Sequence, residues 1–227
     1  MLASDEIIRV VADTVKNYNI SCVVDPVCPL VIFSANVKVM ISTSGSVLLP
    51  ESAAITYVTN LLPVTTLLTP NFPEAIFLAN LCESSIDWGN PTLNLQDRLK
   101  LATFLSKKSE WVLLKGGHAP LERNGKKVVV DILVNKCGTF SREYISEFSP
   151  SKNTHGTGCT LSCFSFATKA DDAAAIAANI GLGYDMEIAV EKAIDYVQGA
   201  IMHSYPLGKG HGRLNHLYRQ RNLPFTP

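Results

Sequence analysis

The stretch Asn153-Thr154-His155-Gly156-Thr157-Gly158-Cys159-Thr160-Leu161-Ser162 sets two glycines and a cysteine at the mouth of an apolar, helix-like segment. Glycines let successive backbone N–H groups crowd inward, and a helix start adds the positive end of its dipole. Gly156, Thr157, Gly158 and Cys159 can therefore form an anion-binding cup. A cysteine in the first turn of such a helix has its thiolate favoured below the free value of about 8.5. The same residues also fit a plain glycine-rich turn followed by a buried cysteine. A third reading takes His155, Cys159 and Cys163, four residues apart on one helical face, as metal ligands. Against it stands the absence of the paired short spacings that zinc sites use.

Three further places carry chemistry. Asp25 ends the apolar run Ser21-Cys22-Val23-Val24, and Pro26 after it fixes the chain direction, so this acid caps a turn or faces a site. Asn71 and Glu74, in a proline-flanked turn, can orient Mg2+ through water, since that ion keeps several waters and takes few protein oxygens. They equally suit a helix start, with Pro73 at its first position and Glu74 in its first turn. Lys115, ahead of Gly116 and Gly117, can reach a nucleotide phosphate or stand solvated beside a tight turn.

These residues need elements to hold them. Apolar spacing at Ile7, Val10, Val11, Val15 and Tyr18 predicts an amphipathic helix over Leu2 to Tyr18. Ser21 to Val24 reads as a buried parallel strand, with further strands at 65–69, 111–115, 127–134 and 139–145. Asn94 with Asp97 opens a helix whose inner face is Leu95, Leu99, Ala102 and Leu105. Another helix fits Met186 to Ile201, with Val190, Ala193, Val197 and Ile201 on one side. Strands and helices alternate without repeat or linker, which gives an α/β domain spanning 1–227 with a mostly parallel sheet. Ligands in such sheets bind beyond the carboxyl ends of the strands. Chemistry is thus expected just after Val24, Leu68 and Leu114.

Composition narrows the partners. The 227 residues are 47% hydrophobic and 18% charged, enough for a large core, and 20 basic residues balance 20 acidic ones. With no net charge and no basic block, a small molecule fits better than nucleic acid or a membrane surface. Acids stand near the start where a secretory signal would need a cationic stretch and then an apolar one, and the greasiest stretch, Cys28 to Ile41, is too broken and short to span a bilayer. Six cysteines without a C-x-x-C pair read as reduced thiols, as in a cytoplasmic protein.

Four motifs in order carry a resemblance: Val24-Asp25-Pro26-Val27, Leu68 through Ala75, Val112 through His118, and Asn153 through Ser162. Together they resemble the hydroxymethylpyrimidine/phosphomethylpyrimidine kinases of thiamine biosynthesis, and Gly210 through His216 is similar to the fungal members. The resemblance implies a ribokinase-like fold with helices on both faces of the sheet, ATP with Mg2+ as phosphoryl source, and transfer to a hydroxymethyl group and then to the resulting phosphate. It makes Cys159 the catalytic base, lying against the substrate, and the amides of Gly156, Thr157, Gly158 and Cys159 the cradle of the transferring group. Asp25, Asn71, Lys115 and Gly117 would serve ATP and its phosphates, Glu74 and Asp25 the metal, and Met1 and Val27 the substrate. Intact members of the family commonly dimerise through early segments expected to be missing here, which leaves the oligomeric state open, a homodimer among the options.

Three departures from the family pattern follow. The family's first strands precede the position matched by Met1, so they are expected to be missing here. Cys28 to Val39 is interposed before Met40-Ile41-Ser42-Thr43-Ser44-Gly45, and residues 163–173 are inserted after Cys159. An incomplete substrate pocket makes a weak or inactive nucleotide-binding remnant, or a partner subunit for a complete homologue, the alternative function. Pyridoxal kinase-like activity is another.

Overall fold

The computed structural model describes residues 4–26, 30–34, 37–41, 47–49, 51–83, 88, 94–117, 120–148, 175–204 and 214–219. They fall into two compact units, Met1–Ile145 and Ser146–Pro227.

The first unit opens with helix α1, Asp5–Tyr18. Ser4 caps it by accepting the Ile7 N–H, Asp5 and Glu6 sit in its first turn, and Asn19 ends it in the left-handed conformation at φ 50°. Its buried stripe is Ile8, Ala12 and Val15. Of the expected face only Val15 is buried; Ile7, Val10 and Tyr18 are 46%, 59% and 75% exposed. Both stripes satisfy helical spacing. The one that faces inward carries Ala12, the small residue that lets α1 approach α2 (Glu51–Thr56) and the turn after it.

The central sheet contains β1 (Val23–Val24), β5 (Leu67–Leu68), β6 (Trp111–Leu114), β8 (Lys126–Asn135) and β7 (Leu121–Arg123) in that order, with β9 (Ser141–Glu147) also paired to β8. β1, β5 and β6 run parallel, with Val23 opposite Leu67 and Leu67 opposite Trp111. Leu67, Leu68 and Val112 to Leu114 are almost wholly buried, as parallel strands covered on both faces must be. β8 runs antiparallel to β6 and β7. The β7–β8 hairpin turns on Asn124 and Gly125, both at positive φ, the arrangement a two-residue turn needs to match strand twist. The α/β class and the helix-covered parallel core agree with the sequence reading.

Residues 30–34, 37–41 and 47–49 form a separate antiparallel sheet, β2-β3-β4. The interposed segment thus pairs with its own continuation rather than with the central sheet. Helix α3 is Phe72–Cys82 and helix α4 is Leu95–Ser106. In α4 the buried residues include Arg98, Leu101, Ala102 and Leu105, whereas Leu99, expected inside, is 37% exposed. Arg98 takes the inward place because its guanidinium lies 6.0 Å from the Phe72 ring centroid and near the Asp131 carboxylate.

The second unit contains α5 (Ala175–Gly181), α6 (Met186–Met202) and the segment 214–219. Val190, Ala193 and Val197 are buried on α6 as expected, joined by Ala189, Ile194 and Ala200. The Tyr196 hydroxyl donates to the His216 carbonyl at 3.0 Å. The Tyr218 ring lies directly on Gly199, where a Cβ would meet ring atoms at 2.3 Å, and it stacks on His203 with centroids 5.2 Å apart. The inserted residues 163–173 lie outside the described residues. Among those described, no helix is long and apolar enough to cross a membrane.

Candidate active site at the carboxyl ends of the parallel strands

Three chain segments leave β1, β5 and β6 side by side. Asp25 follows β1, Thr69 follows β5 and Lys115 follows β6. Backbone bonds continue the alignment beyond the strands: Thr69 N–H donates to the Val24 carbonyl at 3.0 Å and Lys115 N–H to the Pro70 carbonyl at 2.8 Å. Two strand spacings separate β1 from β6, roughly 10 Å. Only a long side chain on one side crosses that gap. Lys115 does so, and its Nζ lies 2.6 Å from Asp25 Oδ1, with the two side chains 13% and 9% exposed. Thr69, fully buried between them, is small enough to leave the passage open, and its Oγ1 donates to the same Oδ1 at 3.2 Å. Both bonds to Asp25 among the described residues land on Oδ1, so Oδ2 remains for a cation or another donor.

Asn71 and Glu74 realise the helix start. Asn71 is the N-cap of α3, its Oδ1 accepting the Glu74 N–H at 3.0 Å, while Glu74 Oε2 accepts the Asn71 N–H at 2.7 Å. The reciprocal pair is a capping box. Pro73 occupies the second helical position rather than the first, because Phe72 opens the helix. Glu74 is only 4% exposed. The cap uses Asn71 Oδ1 and Glu74 Oε2, and the Asn71 amide Nδ2 takes no part in it.

Lys115 leads into Gly116 and Gly117, which do different jobs. Gly116 is buried, and a Cβ there would sit 2.2 Å from the Val130 carbonyl oxygen, so no side chain fits beside β8. Gly117 is exposed with nothing within 4 Å of its would-be Cβ, which leaves its backbone open to a ligand. The Gly116 N–H donates to Asp131 Oδ1 at 2.7 Å. Asp131 is 8% exposed, and burial pushes its carboxyl up to about 6, against the pull of the Gly116 bond and of Lys115 and Arg98.

Sequence reasoning singled out Asp25, Asn71, Glu74, Lys115 and Gly117 as candidates, and all five lie in the first unit near these strand ends. It did not single out Thr69 or Asp131, which hydrogen-bond at the same strand ends. Asp131 carried a signal, as the lone acid in the apolar run Val128-Val129-Val130-Asp131-Ile132-Leu133-Val134. Met1, Val27, Gly156, Thr157, Gly158 and Cys159 lie outside the described residues. So do His155 and Cys163 of the metal reading, and among the described residues no group of three potential ligands converges. Cys22 is buried, and burial raises its thiol to about 11, which makes it inert.

Comparison with known proteins gives the family and the fold. The family described as Phosphomethylpyrimidine kinase matches residues 1–215. A Schizosaccharomyces pombe protein is 37% identical over 100% of this chain, which spans 38% of that relative's length. The hydroxymethylpyrimidine/phosphomethylpyrimidine kinase of Synechococcus elongatus is 33% identical over 96% of the chain and 69% of the relative. Among solved structures, an ADP complex of Bacillus subtilis pyridoxal kinase superimposes with a TM-score of 0.71 at 25% identity, covering 98% of this chain and 70% of that one. The phosphomethylpyrimidine kinase of Clostridium difficile gives 0.59 at 31% identity, covering 88% and 66%.

Proposed function

Because the chain belongs to the phosphomethylpyrimidine kinase family, we propose that it transfers a phosphoryl group from ATP to hydroxymethylpyrimidine and then to its monophosphate. The observation that carries this reading is the Asp25–Thr69–Lys115 bridge across the carboxyl ends of three parallel strands, where α/β sheets bind ligands. An ion pair in that position is a paired set of charges waiting for a polyanion. Lys115 Nζ would turn to the nucleotide phosphates, with the Gly117 N–H and the Asn71 amide as neutral donors beside it. The residues also fit a divalent cation. Among the described residues the bonds to Asp25 fall on one oxygen, Glu74 is a second buried carboxylate, and Mg2+ is held by one or two carboxylates plus substrate phosphates rather than by a full protein cage. When bound, Mg2+ would neutralise charge on the phosphate oxygens.

Chemistry of this kind depends on positioning and charge stabilisation. The substrate's hydroxymethyl oxygen forms a bond to the γ-phosphorus as the bond to the β-phosphate oxygen breaks, and its proton passes to the Cys159 thiolate. The amides of Gly156, Thr157 and Gly158 would cradle the moving group, and Met1 and Val27 would lie against the pyrimidine. In the second transfer the acceptor is a phosphate oxygen, which needs no base. Cys159→Ala should therefore reduce the first transfer about a hundredfold or more while ATP binding persists. A parent chain no faster than Cys159→Ala, with nucleotide still bound, would establish the nucleotide-binding remnant instead. The likeness to a pyridoxal kinase supports a second reading, pyridoxal as acceptor. Turnover of the two substrates side by side separates them.

A further inference from the structure

β8 is an apolar strand with one acid in its middle. Val130, Ile132, Leu133 and Val134 are buried, and Asp131 is buried among them. A carboxylate in such a place is costly unless it is paired or hydrogen-bonded. Its bond falls at the edge of the site. The β6–β8 ladder ends with Leu114 opposite Ile132. Beyond that pair the Gly116 N–H is met by the Asp131 side chain, with Oδ1 at 2.7 Å.

The other flank of the same turn is held as well. The Lys115 N–H donates to the Pro70 carbonyl at 2.8 Å, beside an isolated parallel bridge between Asn71 and Lys115. Two consecutive amides are thus clamped from opposite sides, one by the segment after β5 and one by β8. Gly116 tightens the clamp, because it lies so close to Val130 that a Cβ would meet the carbonyl oxygen at 2.2 Å. From this fixed point the Lys115 side chain reaches Asp25 at 2.6 Å, and the next residue, Gly117, has open space where a Cβ would be.

We propose that Asp131 is a positioning residue for the nucleotide phosphates: by accepting the Gly116 N–H it fixes the turn from which Lys115 Nζ and the Gly117 N–H reach them. The nucleotide rests on the kinase reading above. Donors held in place before a ligand arrives need not be ordered when it binds, which is how such a clamp raises affinity. The role belongs to the acceptor oxygen and not to the charge. Lys115 and Arg98 are the cations acting on Asp131, and its own negative charge opposes an approaching polyanion.

Calorimetry of the full chain with ADP and Mg2+ separates acceptor from charge. Asp131→Leu removes both and suits an apolar strand, so the chain should fold while binding ADP about tenfold more weakly. Asp131→Asn removes the charge alone, and ADP should bind at least as tightly as to the parent. A merely structural role would move the urea midpoints and leave the affinities alike. Parent-like affinity in Asp131→Leu, or affinity in Asp131→Asn as weak as in Asp131→Leu, would overturn the proposal. Should Asp131→Leu fail to fold, Asp131→Ala takes its place with the same expectation. Amide exchange gives a reading without nucleotide: Gly116 should be protected in the parent and in Asp131→Asn, and exchange faster in the acceptor-less variant. Equal exchange in all three would also overturn the proposal. A parent that protects Gly116 but binds no ADP would instead remove the kinase reading, and the phosphate role with it.

Discussion

Lys115 Nζ and Asp25 Oδ1, 90 residues apart in sequence, meet at 2.6 Å over the buried hydroxyl of Thr69. The pair joins the outer two of three parallel strand ends, so it is a fastening of the sheet as well as a charged site. Asp25→Asn strands the lysine charge in a mostly buried place and should cost about 3 kcal/mol. Adding Lys115→Met to it should recover part of that loss. Urea unfolding followed by tryptophan fluorescence reports on this unit, because Trp88 and Trp111 both lie in it. A double variant less stable than Asp25→Asn would contradict a direct pairing.

Asn71 and Glu74 can be separated by charge. Asn71→Ala removes the cap of α3 and should lower stability by about 1 kcal/mol. Glu74→Gln keeps an oxygen for the Asn71 N–H, so its midpoint should stay near the parent's. If Glu74 also serves a cation, the same variant should lose the extra thermal stabilisation that Mg2+ gives to an ADP-bound chain. Unchanged Mg2+ dependence would confine Glu74 to the cap.

Asp131 gives a pH signature. Its folded carboxyl titrates at about 6, above the ordinary value of 3.8. The folded chain therefore binds more protons than the unfolded chain between those values, and this residue's contribution to stability falls as pH rises from about 4 to 6. The full effect is on the order of 3 kcal/mol, from about 1.4 kcal/mol per pH unit. Asp131→Asn, whose amide oxygen still accepts from Gly116 N–H, should flatten that slope and be more stable than the parent near neutrality. A slope that survives the substitution would assign it to other groups.

The two glycines after Lys115 should respond oppositely. Gly116→Ala forces a methyl to 2.2 Å from the Val130 carbonyl oxygen and should destabilise by about 2 kcal/mol or more. Gly117→Ala meets nothing and should fold like the parent, while weakening nucleotide binding if its backbone faces phosphate. Urea midpoints and ADP titrations of both variants check the contrast.

The parts of this architecture that could be read from residues are those fixed locally. Asp25, Lys115 and the Asn71–Glu74 turn stood out because a charged residue ended an apolar run, or because prolines and an asparagine marked a helix start. The pairing of Asp25 with Lys115 was not readable, since it depends on β5 lying between β1 and β6. Helix faces were not readable from apolar spacing alone. In α1 the choice fell to Ile8 and Ala12, and in α4 to Arg98, through contacts made by other elements. The short strand β7 escaped notice although Asn124-Gly125 is a strong hairpin signal, because only three residues precede it in the strand.

Gly199 gives the second unit a keyhole. Tyr218 can lie flat against α6 only because position 199 has no side chain, and that ring in turn carries the stacked His203. Any larger residue there would evict the ring and slacken the tail 214–219 along the helix. The segment 214–219 is thus latched by a missing methyl, so that one inconspicuous helical glycine decides whether the aromatic ring it accommodates can seat.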